Sequence, residues 1–176
     1  GWEQWGDALP KRLRGMFAFV LWDRRTGTLF GARDHFGIKP LYYYRRGGLL
    51  LFGSEIKAFL AHPAFEKRLN TGRLGDWLSI EYLPGGDTMF AGVQELLPGH
   101  CFRWQDGGLE VCRWGAPHFA AQRGRSLGDW AAEIDRAFTD SVEAHRLADV
   151  EVGCFLSGGV DSSLTACKAA RQQEKQ

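Results

Sequence analysis

The sequence lacks the patterns that identify several large classes of protein. It has no apolar run of about 18 residues, so a membrane-spanning helix is not expected. Its net charge is only +1, which gives no electrostatic reason to expect a nucleic-acid or membrane partner. It has no HExxH pattern and no CxxC spacing, which argues against a zinc site, and it has no Walker A pattern.

Cysteine is also sparse, with four residues at positions 101, 112, 154 and 167. Their number and spacing do not indicate a disulfide framework, and free thiols are typical of the reducing cytosol, so a cytoplasmic protein is expected. Cys101 and Cys112 fall in a predicted hairpin, Cys154 in a predicted strand and Cys167 in a predicted helix. Each is interpreted as a core side chain rather than a nucleophile.

The first two thirds of the chain contain strand patterns. Three pairs of apolar runs flank turn-forming residues and predict β-hairpins: 16–22 with 28–33, 41–45 with 49–53, and 100–104 with 109–114. The run MFAFVLW at 16–22 is apolar on both faces, which predicts packing on both sides of that strand. Short helices are predicted after a Ser54 cap and after Asn70-Thr71. This order indicates an antiparallel α+β domain.

After residue 125 the apolar period becomes helical. Ser126 and Asp129 match a capping box, and apolar residues recur at helical spacing to about Arg146. Asp149–Leu156 is a strand candidate, followed by a glycine loop and a helix predicted to begin near Ser162. The order helix, strand, loop, helix is typical of a doubly wound α/β sheet.

Two domains with a linker are therefore expected. Residues 1–117 form the α+β domain, 118–125 the linker, and 126–176 the start of the α/β domain. The first residue is not Met, and residues 174–176 read as the middle of a helix. These ends predict an internal fragment of a longer protein.

The strongest local pattern is the loop SGGVDSS, Ser157–Ser163, directly after the strand candidate. Gly158 and Gly159 can adopt positive φ, so an anion can approach the backbone and its N–H groups. The N-terminus of the next helix adds partial positive charge. Hydroxyl donors are available from Ser157, Ser162 and Ser163. These features predict a phosphate site.

Asp161 places a carboxylate beside this anion site. That combination predicts a bridging cation, Mg²⁺, between the carboxylate and phosphate oxygens. The alternative is a tight strand-to-helix turn in which Asp161 or Ser162 caps the helix. The turn alone accounts for one polar residue and one glycine, so the phosphate site is favoured.

This lysine-free, acidic loop resembles the PP-loop of N-type ATP pyrophosphatases, which split ATP between its α and β phosphates. Upstream segments resemble the class II glutaminase domain of asparagine synthetases: LRGMFAF at 13–19, ARDHFGIKPLYY at 32–43, GSEIKA at 53–58, YLPG at 82–85 and LPGH at 97–100. The similarity to glutamine-hydrolysing asparagine synthetases therefore covers the chain from about residue 11 onward.

The resemblance implies a glutaminase remnant of the N-terminal nucleophile hydrolase type, followed by the start of a PP-loop domain. It implies a parent enzyme, expected to be a homodimer, that hydrolyses glutamine and uses ATP to convert aspartate to asparagine through β-aspartyl-AMP. The residues implied to hold the nucleotide and its pyrophosphate are Leu156, Ser157, Gly158, Gly159, Asp161, Ser162 and Ser163. Asp161 is the implied Mg²⁺ ligand.

The sequence also departs from that family. Class II glutaminases use an N-terminal cysteine, whereas residue 1 is Gly and the RLSI-like and NGEIYN-like segments are absent. No catalytic residue is therefore assigned, and the fragment alone is expected to be inactive. The turn from Arg33 to Pro40 is interpreted as structural, with charge pairing expected among Arg33, Lys39, Glu55 and Lys57.

Two other functions stay open. A β-lactam synthetase or a peptide-cyclising homologue would share this loop and adenylate a different carboxylate. A non-catalytic binding module is the second alternative, and the intact SGGVDSS loop argues against it.

Overall fold

The computed structural model describes residues 1–173, and the chain divides into two compact units, Gly1–His118 and Phe119–Gln176. Residues 174–176, which the sequence places in a helix, lie outside the described residues. The α-helices are α1 (Trp2–Trp5), α2 (Leu74–Ile80), α3 (Leu127–His145) and α4 (Val160–Gln173). None of the helices in this described range is long and apolar enough to cross a membrane.

The strands all lie in the first unit and form two antiparallel sheets. They are β1 (Ala18–Asp23), β2 (Thr28–Arg33), β3 (Tyr42–Arg46), β4 (Leu49–Gly53), β5 (Val93–Glu95), β6 (His100–Gln105) and β7 (Gly108–Arg113). The first sheet has the order β1-β2-β6-β7 and the second has the order β4-β3-β5. The three predicted hairpins are confirmed, as the pairs β1-β2, β3-β4 and β6-β7.

Local turn chemistry explains the register of the last hairpin. Asp106 and Gly107 connect β6 to β7 with φ of 50° and 77°. Two successive positive φ values are the mark of a type I′ turn, whose twist matches that of the flanking strands. Gln105 is therefore paired with Gly108, and this pair sets the register of the other pairs down to His100 with Arg113.

The core of the first unit consists of three apolar clusters. The prediction that β1 packs on both faces is confirmed: Phe19 and Leu21 pack against the cluster around Phe30, whereas Ala18 and Val20 pack against the cluster around Phe102. The third cluster contains Tyr44, Phe59 and Val93. The first sheet therefore has apolar contacts on both sides.

The prediction of a Ser54 cap is wrong. The segment Ile56–Ala61 is a 3₁₀ helix whose N-cap residue is Glu55, and no side chain caps it. Glu55 has extended backbone angles, φ −138° and ψ 137°, so the helix begins one residue later than a Ser54 cap requires. The second predicted helix is confirmed as α2, preceded by a 3₁₀ turn at Thr71–Arg73.

In the second unit the two helices form and the predicted strand does not. The capping box is confirmed: Ser126 accepts from the Asp129 N–H at 3.2 Å, and the Asp129 carboxylate accepts from the Ser126 N–H at 3.1 Å. The prediction of a strand at Asp149–Leu156 is wrong, since residues 151–157 have no regular structure. Residues 119–173 contain no other strand to pair with, and an unpaired strand leaves its backbone groups without partners.

Candidate functional site

The loop Ser157–Ser163 lies at the start of α4, after the irregular segment. Helix α4 begins at Val160, two residues before the predicted start near Ser162. Gly158 has φ of 82°, the left-handed conformation that favours glycine, whereas Gly159 does not have a positive φ. One of the two glycines is therefore required by the backbone of the turn.

Two of the three serine hydroxyls hold the loop closed on itself. The Ser162 hydroxyl donates to the Gly159 carbonyl at 3.1 Å, and the Ser157 and Ser162 hydroxyl oxygens lie 2.9 Å apart. Because a hydroxyl has one proton, Ser157 is the donor to Ser162 in this arrangement. Ser163 is half-buried, and its hydroxyl has no partner among residues 1–173, so it is a ready donor.

The backbone adds further donors at the same place. The first helical hydrogen bond of α4 runs from the Ser163 N–H to the Gly159 carbonyl at 3.1 Å. The N–H groups of 160–162 precede that bond and have no carbonyl partner within the helix. Three N–H groups and the positive end of the helix dipole therefore face the loop, which is the arrangement that binds an anion.

Asp161 supplies the one carboxylate of this loop. Its side chain is exposed and has no hydrogen-bond or ion-pair partner within the described range 1–173, while its carbonyl accepts from the Thr165 hydroxyl. No group of three or more potential metal-binding side chains occurs among those residues. Mg²⁺ is commonly held by one or two carboxylates together with phosphate oxygens, so a single free carboxylate beside a phosphate loop suits that ion. Leu156, the remaining predicted nucleotide contact, is 66% exposed.

Two cationic residues near the loop were not predicted. Lys168 and Arg171 line the same open depression of about 500 Å³ as Gly158 and Ser163. Lys168 is paired with Asp135 of α3 at 2.5 Å. The helical spacing from Leu164 through Lys168 to Arg171 is the signal that would have identified both.

In the first unit, the turn after β2 is organised by a buried carboxylate. Asp34 is only 1% exposed and accepts four backbone N–H groups at 3.0–3.3 Å, from Phe17, Phe36, Ile38 and Lys39. Burial by itself would raise the pKa of Asp34, but the four hydrogen bonds outweigh it and the net pKa is lowered. Asp34 thus holds the turn together as a charged acceptor.

Arg33 supports the same turn from its other side. Its guanidinium donates to the carbonyls of Lys39 at 2.8 Å, Leu96 at 2.6 Å and Gly37 at 2.6 Å, and it pairs with Glu95 at 2.7 Å. All of these partners are structural, which agrees with the interpretation of the turn.

The predicted charge pairing occurs only in part. Glu55 pairs with Lys57 at 2.5 Å, but Arg33 pairs with Glu95 of β5, which the sequence pattern did not indicate. Glu95 is distant along the chain and approaches Arg33 because β5 joins the second sheet beside β3.

The interpretation of all four cysteines as core residues is correct for only one of them. Cys101 is buried, whereas Cys112, Cys154 and Cys167 are exposed. Cys154 lies in the irregular segment instead of a strand, and Cys167 lies on α4. Within residues 1–173, no layer covers these side chains on the edge strand β7 or in the second unit.

Comparison with protein-family models gives two matches. Residues 1–115 match the glutamine amidotransferase domain. Residues 133–176 match asparagine synthase. The first match covers most of the first unit, and the second includes the loop at the start of α4.

Individual relatives give the same result. The chain is 36% identical over 175 residues to asparagine synthetase [glutamine-hydrolyzing] 3 of Bacillus subtilis, a match that covers 98% of this chain and 28% of that protein. It is 39% identical over 183 residues to a putative asparagine synthetase [glutamine-hydrolyzing] of Mycobacterium tuberculosis, covering 99% and 28%. It is also 36% identical to the amidase chyE of Penicillium rubens, covering 94% and 25%. The chain therefore spans about 28% of the length of either synthetase.

Proposed function

Because this chain belongs to the family of glutamine-hydrolysing asparagine synthetases, we propose that its parent protein makes asparagine from aspartate, ATP and glutamine. Glutamine supplies ammonia in the domain that contains residues 1–115, the part that matches the glutamine amidotransferase model. ATP activates aspartate as β-aspartyl-AMP and releases pyrophosphate, and ammonia then displaces AMP to form asparagine. The proposal assigns no glutamine-hydrolysing residue to this chain.

The proposal depends on one observation, the set of free hydrogen-bond donors in the loop at the start of α4. Its free N–H groups at 160–162 and the hydroxyl of Ser163 are donors for the oxygens of the departing pyrophosphate. The closed loop, with Gly158 in a left-handed conformation, leaves the backbone open to a ligand: a Cβ at Gly158 would meet no atom within 4 Å. Donors held in place before the reaction stabilise the charge that develops on the leaving group.

The remaining loop residues have supporting roles in the proposal. Ser157 and Ser162 hold the turn through their mutual hydrogen bond, and Leu156 would contact the nucleotide. The Asp161 carboxylate is the group that would hold Mg²⁺. When bound, that ion supplies positive charge that neutralises phosphate oxygens. Asp161 fits this role because its carboxylate is exposed and is not used in any contact between side chains of residues 1–173.

We also propose a fold type for each of the two units. The first unit is taken as an N-terminal nucleophile hydrolase-type glutaminase domain, residues 1–117, joined by the linker 118–125 to a PP-loop domain from 126. The paired antiparallel sheets of the first unit and the loop-to-helix turn of the second support this assignment. A homodimeric parent in the cytoplasm completes the proposal.

The test is a product assay on the full-length parent protein. Given ATP, Mg²⁺, aspartate and glutamine, it should release AMP and pyrophosphate in equal amounts and form asparagine. Omission of aspartate should abolish pyrophosphate release, and the 176-residue chain alone should give none. Release of ADP and orthophosphate would contradict cleavage between the α and β phosphates. Pyrophosphate release that needs a different carboxylate would favour a ring-closing relative.

A further inference from the structure

Two thiols face each other across the last hairpin of the first unit. Cys101 on β6 is directly opposite Cys112 on β7. Their sulfur atoms are 3.2 Å apart. Neither residue belongs to the loop at the start of α4 or to the turn around Asp34, so this pair is independent of the proposed function.

The strand geometry suits a covalent bond between the two sulfurs. The Trp114 N–H donates to the Gly99 carbonyl at 2.9 Å, two residues beyond the cysteines on each strand, so Cys101 and Cys112 also form a hydrogen-bonded pair. The Cα atoms of such a pair are about 5.5 Å apart, within the range of about 4.4–6.8 Å found for disulfides. The sulfurs must approach by about 1 Å to reach bonding distance, which rotation of the side chains can supply.

The two thiols differ in their access to solvent. Cys112 is exposed, whereas Cys101 is 3% exposed and packs in the cluster of Phe30 and Trp114. Burial, and after it the hydrogen bond with Cys112, raise the pKa of Cys101 to about 12. A reagent in solution therefore meets Cys112 first.

The surface leaves room for such a reagent. A depression of about 240 Å³ is lined by both cysteines and by the cationic residues Lys11, Arg103 and Arg113. Arg103 is neutralised by Asp7 at 2.5 Å. Glu110 also lines the depression, so its three cationic and two acidic side chains leave one excess positive charge that attracts a small anionic molecule to the exposed sulfur.

We propose that Cys101 and Cys112 are a reversible disulfide-forming pair whose oxidant is a low-molecular-weight disulfide of the glutathione type. The Cys112 thiolate attacks one sulfur of the small disulfide, forms a mixed disulfide and releases one small thiol. The Cys101 sulfur then attacks the Cys112 sulfur, its proton goes to the departing thiolate, and a second small thiol leaves. The two cysteines lose two electrons and two protons, and the small disulfide gains them.

The cross-link would join β6 to β7 next to Trp114. The Trp114 indole N–H donates to the carbonyls of Arg33 at 3.2 Å and His100 at 3.1 Å. The bond would therefore tie together the end of the sheet that contacts the turn around Asp34. Formation of the disulfide would therefore make this edge of the first unit more rigid, and its reduction would reverse that change.

The experiment exposes the full-length native protein to glutathione disulfide and maps the products by mass spectrometry after tryptic digestion. Arg103 lies between the cysteines, so trypsin separates peptide 74–103 from peptide 104–113. We expect these two peptides to be joined, with a mass loss of about 2 Da that a reductant reverses. Labelling of both thiols by iodoacetamide should fall about tenfold in the oxidised protein.

Single variants separate the two steps. Cys101→Ser should stop the reaction at a stable glutathione adduct on Cys112, and Cys112→Ser should leave Cys101 unmodified because it is buried. A matched double variant, Cys154→Ser with Cys167→Ser, should form the same cross-link as the unchanged protein. The proposal is overturned if Cys112 retains the adduct while Cys101 is present. It is equally overturned if both thiols stay free, or if Cys154 and Cys167 become joined as readily.

Discussion

The two units of this chain differ in what supports their secondary structure. In Gly1–His118 every strand is paired, and side chains such as Phe102 and Leu96 are at most 1% exposed. In the second unit no described residue is buried, and Phe155 is 100% exposed. Helices α3 and α4 nevertheless form there, whereas the strand does not.

This difference shows which elements depend on neighbours. A helix makes its hydrogen bonds within one segment, and the Ser126–Asp129 capping box adds a local start signal for α3. A strand makes its hydrogen bonds only with another strand, so the apolar run at 149–156 stays irregular without one. The first unit is stabilised by tertiary packing, and the second by local hydrogen bonds and a few contacts between two helices.

Hydrogen exchange should reveal the largest difference between the units. Amides of the central strands β2 and β6 should be protected by about 10³-fold or more, because exchange there requires opening of the paired sheet. Amides of 149–156 should be protected less than about tenfold. Exchange of the 176-residue chain, followed by mass spectrometry or NMR, measures both. Strong protection of 149–156 in a monomer would contradict this picture of the second unit.

Asp161→Asn should separate activity from stability in the second unit. In the full-length protein we expect pyrophosphate release to fall by about 100-fold or more, because the neutral amide cannot hold the cation near the phosphates. The melting temperature should stay nearly constant, since residue 161 lies in the first turn of α4 and its side chain makes no contact with another side chain of residues 1–173. Asp149→Asn, another exposed carboxylate of this unit, is the matched control. Unchanged turnover in Asp161→Asn would contradict the role of the carboxylate in holding Mg²⁺.

Asp34→Asn should destabilise the first unit by about 2–4 kcal/mol, because an amide cannot accept four backbone N–H groups and its own N–H₂ would face donors. Chemical denaturation monitored by tryptophan fluorescence measures the free energy of unfolding.

The same residue predicts a dependence on pH. The pKa of Asp34 is lowered in the folded state, so its contribution is complete above the unfolded value of about 3.9 and disappears as pH falls through the lower folded value. The difference in free energy between the native protein and Asp34→Asn should therefore shrink below about pH 4. A constant difference from pH 7 to pH 2 would contradict the role of the charge.

Gly31→Ala should destabilise the sheet of the first unit by about 1–3 kcal/mol. A Cβ at Gly31 in β2 would lie 2.4 Å from the ring of Phe102, which is itself fully buried. Gly48→Ala is the matched control, because a Cβ there meets no atom within 4 Å and the φ of Gly48 is not positive. Equal melting temperatures for the two variants would show that Phe102 can move aside at little cost.

Ser126→Ala should have the smallest effect, a loss of about 1 kcal/mol of helix stability at the start of α3. The Ser126 hydroxyl donates to the Asp129 carboxylate at 2.7 Å, and this bond together with the Ser126 N–H lowers the pKa of Asp129. Far-UV circular dichroism should show a modest decrease in helix content, while the near-UV signal of the first unit stays unchanged. A loss of signal from both units would contradict a purely local role for this cap.

Much of the fold was predictable because its signals are local. Turn residues such as Asp106-Gly107 marked the hairpins, and the apolar runs on either side of them marked the strands. The bounds of α3 followed from its capping box and its helical period. The predictions failed where a partner was needed, as for the strand at 149–156, or where the backbone angles of one residue decided the start, as for Glu55.

The candidate site, too, was predictable from the sequence only in part. Its residue types, and thus the idea of a phosphate loop, came from the seven residues 157–163. The use of Ser157 and Ser162 as mutual partners, and the freedom of Ser163, depend on side-chain positions that the sequence does not specify. Lys168 and Arg171 lie about one and two helical turns beyond Leu164, a spacing that becomes informative once the start of α4 is known.

The sequence by itself determined the family, the three hairpins and the composition of the loop, because these depend on residues that are neighbours along the chain. Only the tertiary structure decided which distant groups meet. It placed Glu95 against Arg33, brought the Phe17 N–H to Asp34, and set Trp114 against the Arg33 carbonyl. Each of these contacts depends on how strands are ordered and turned in a sheet, and that order is set by the packing of the whole unit.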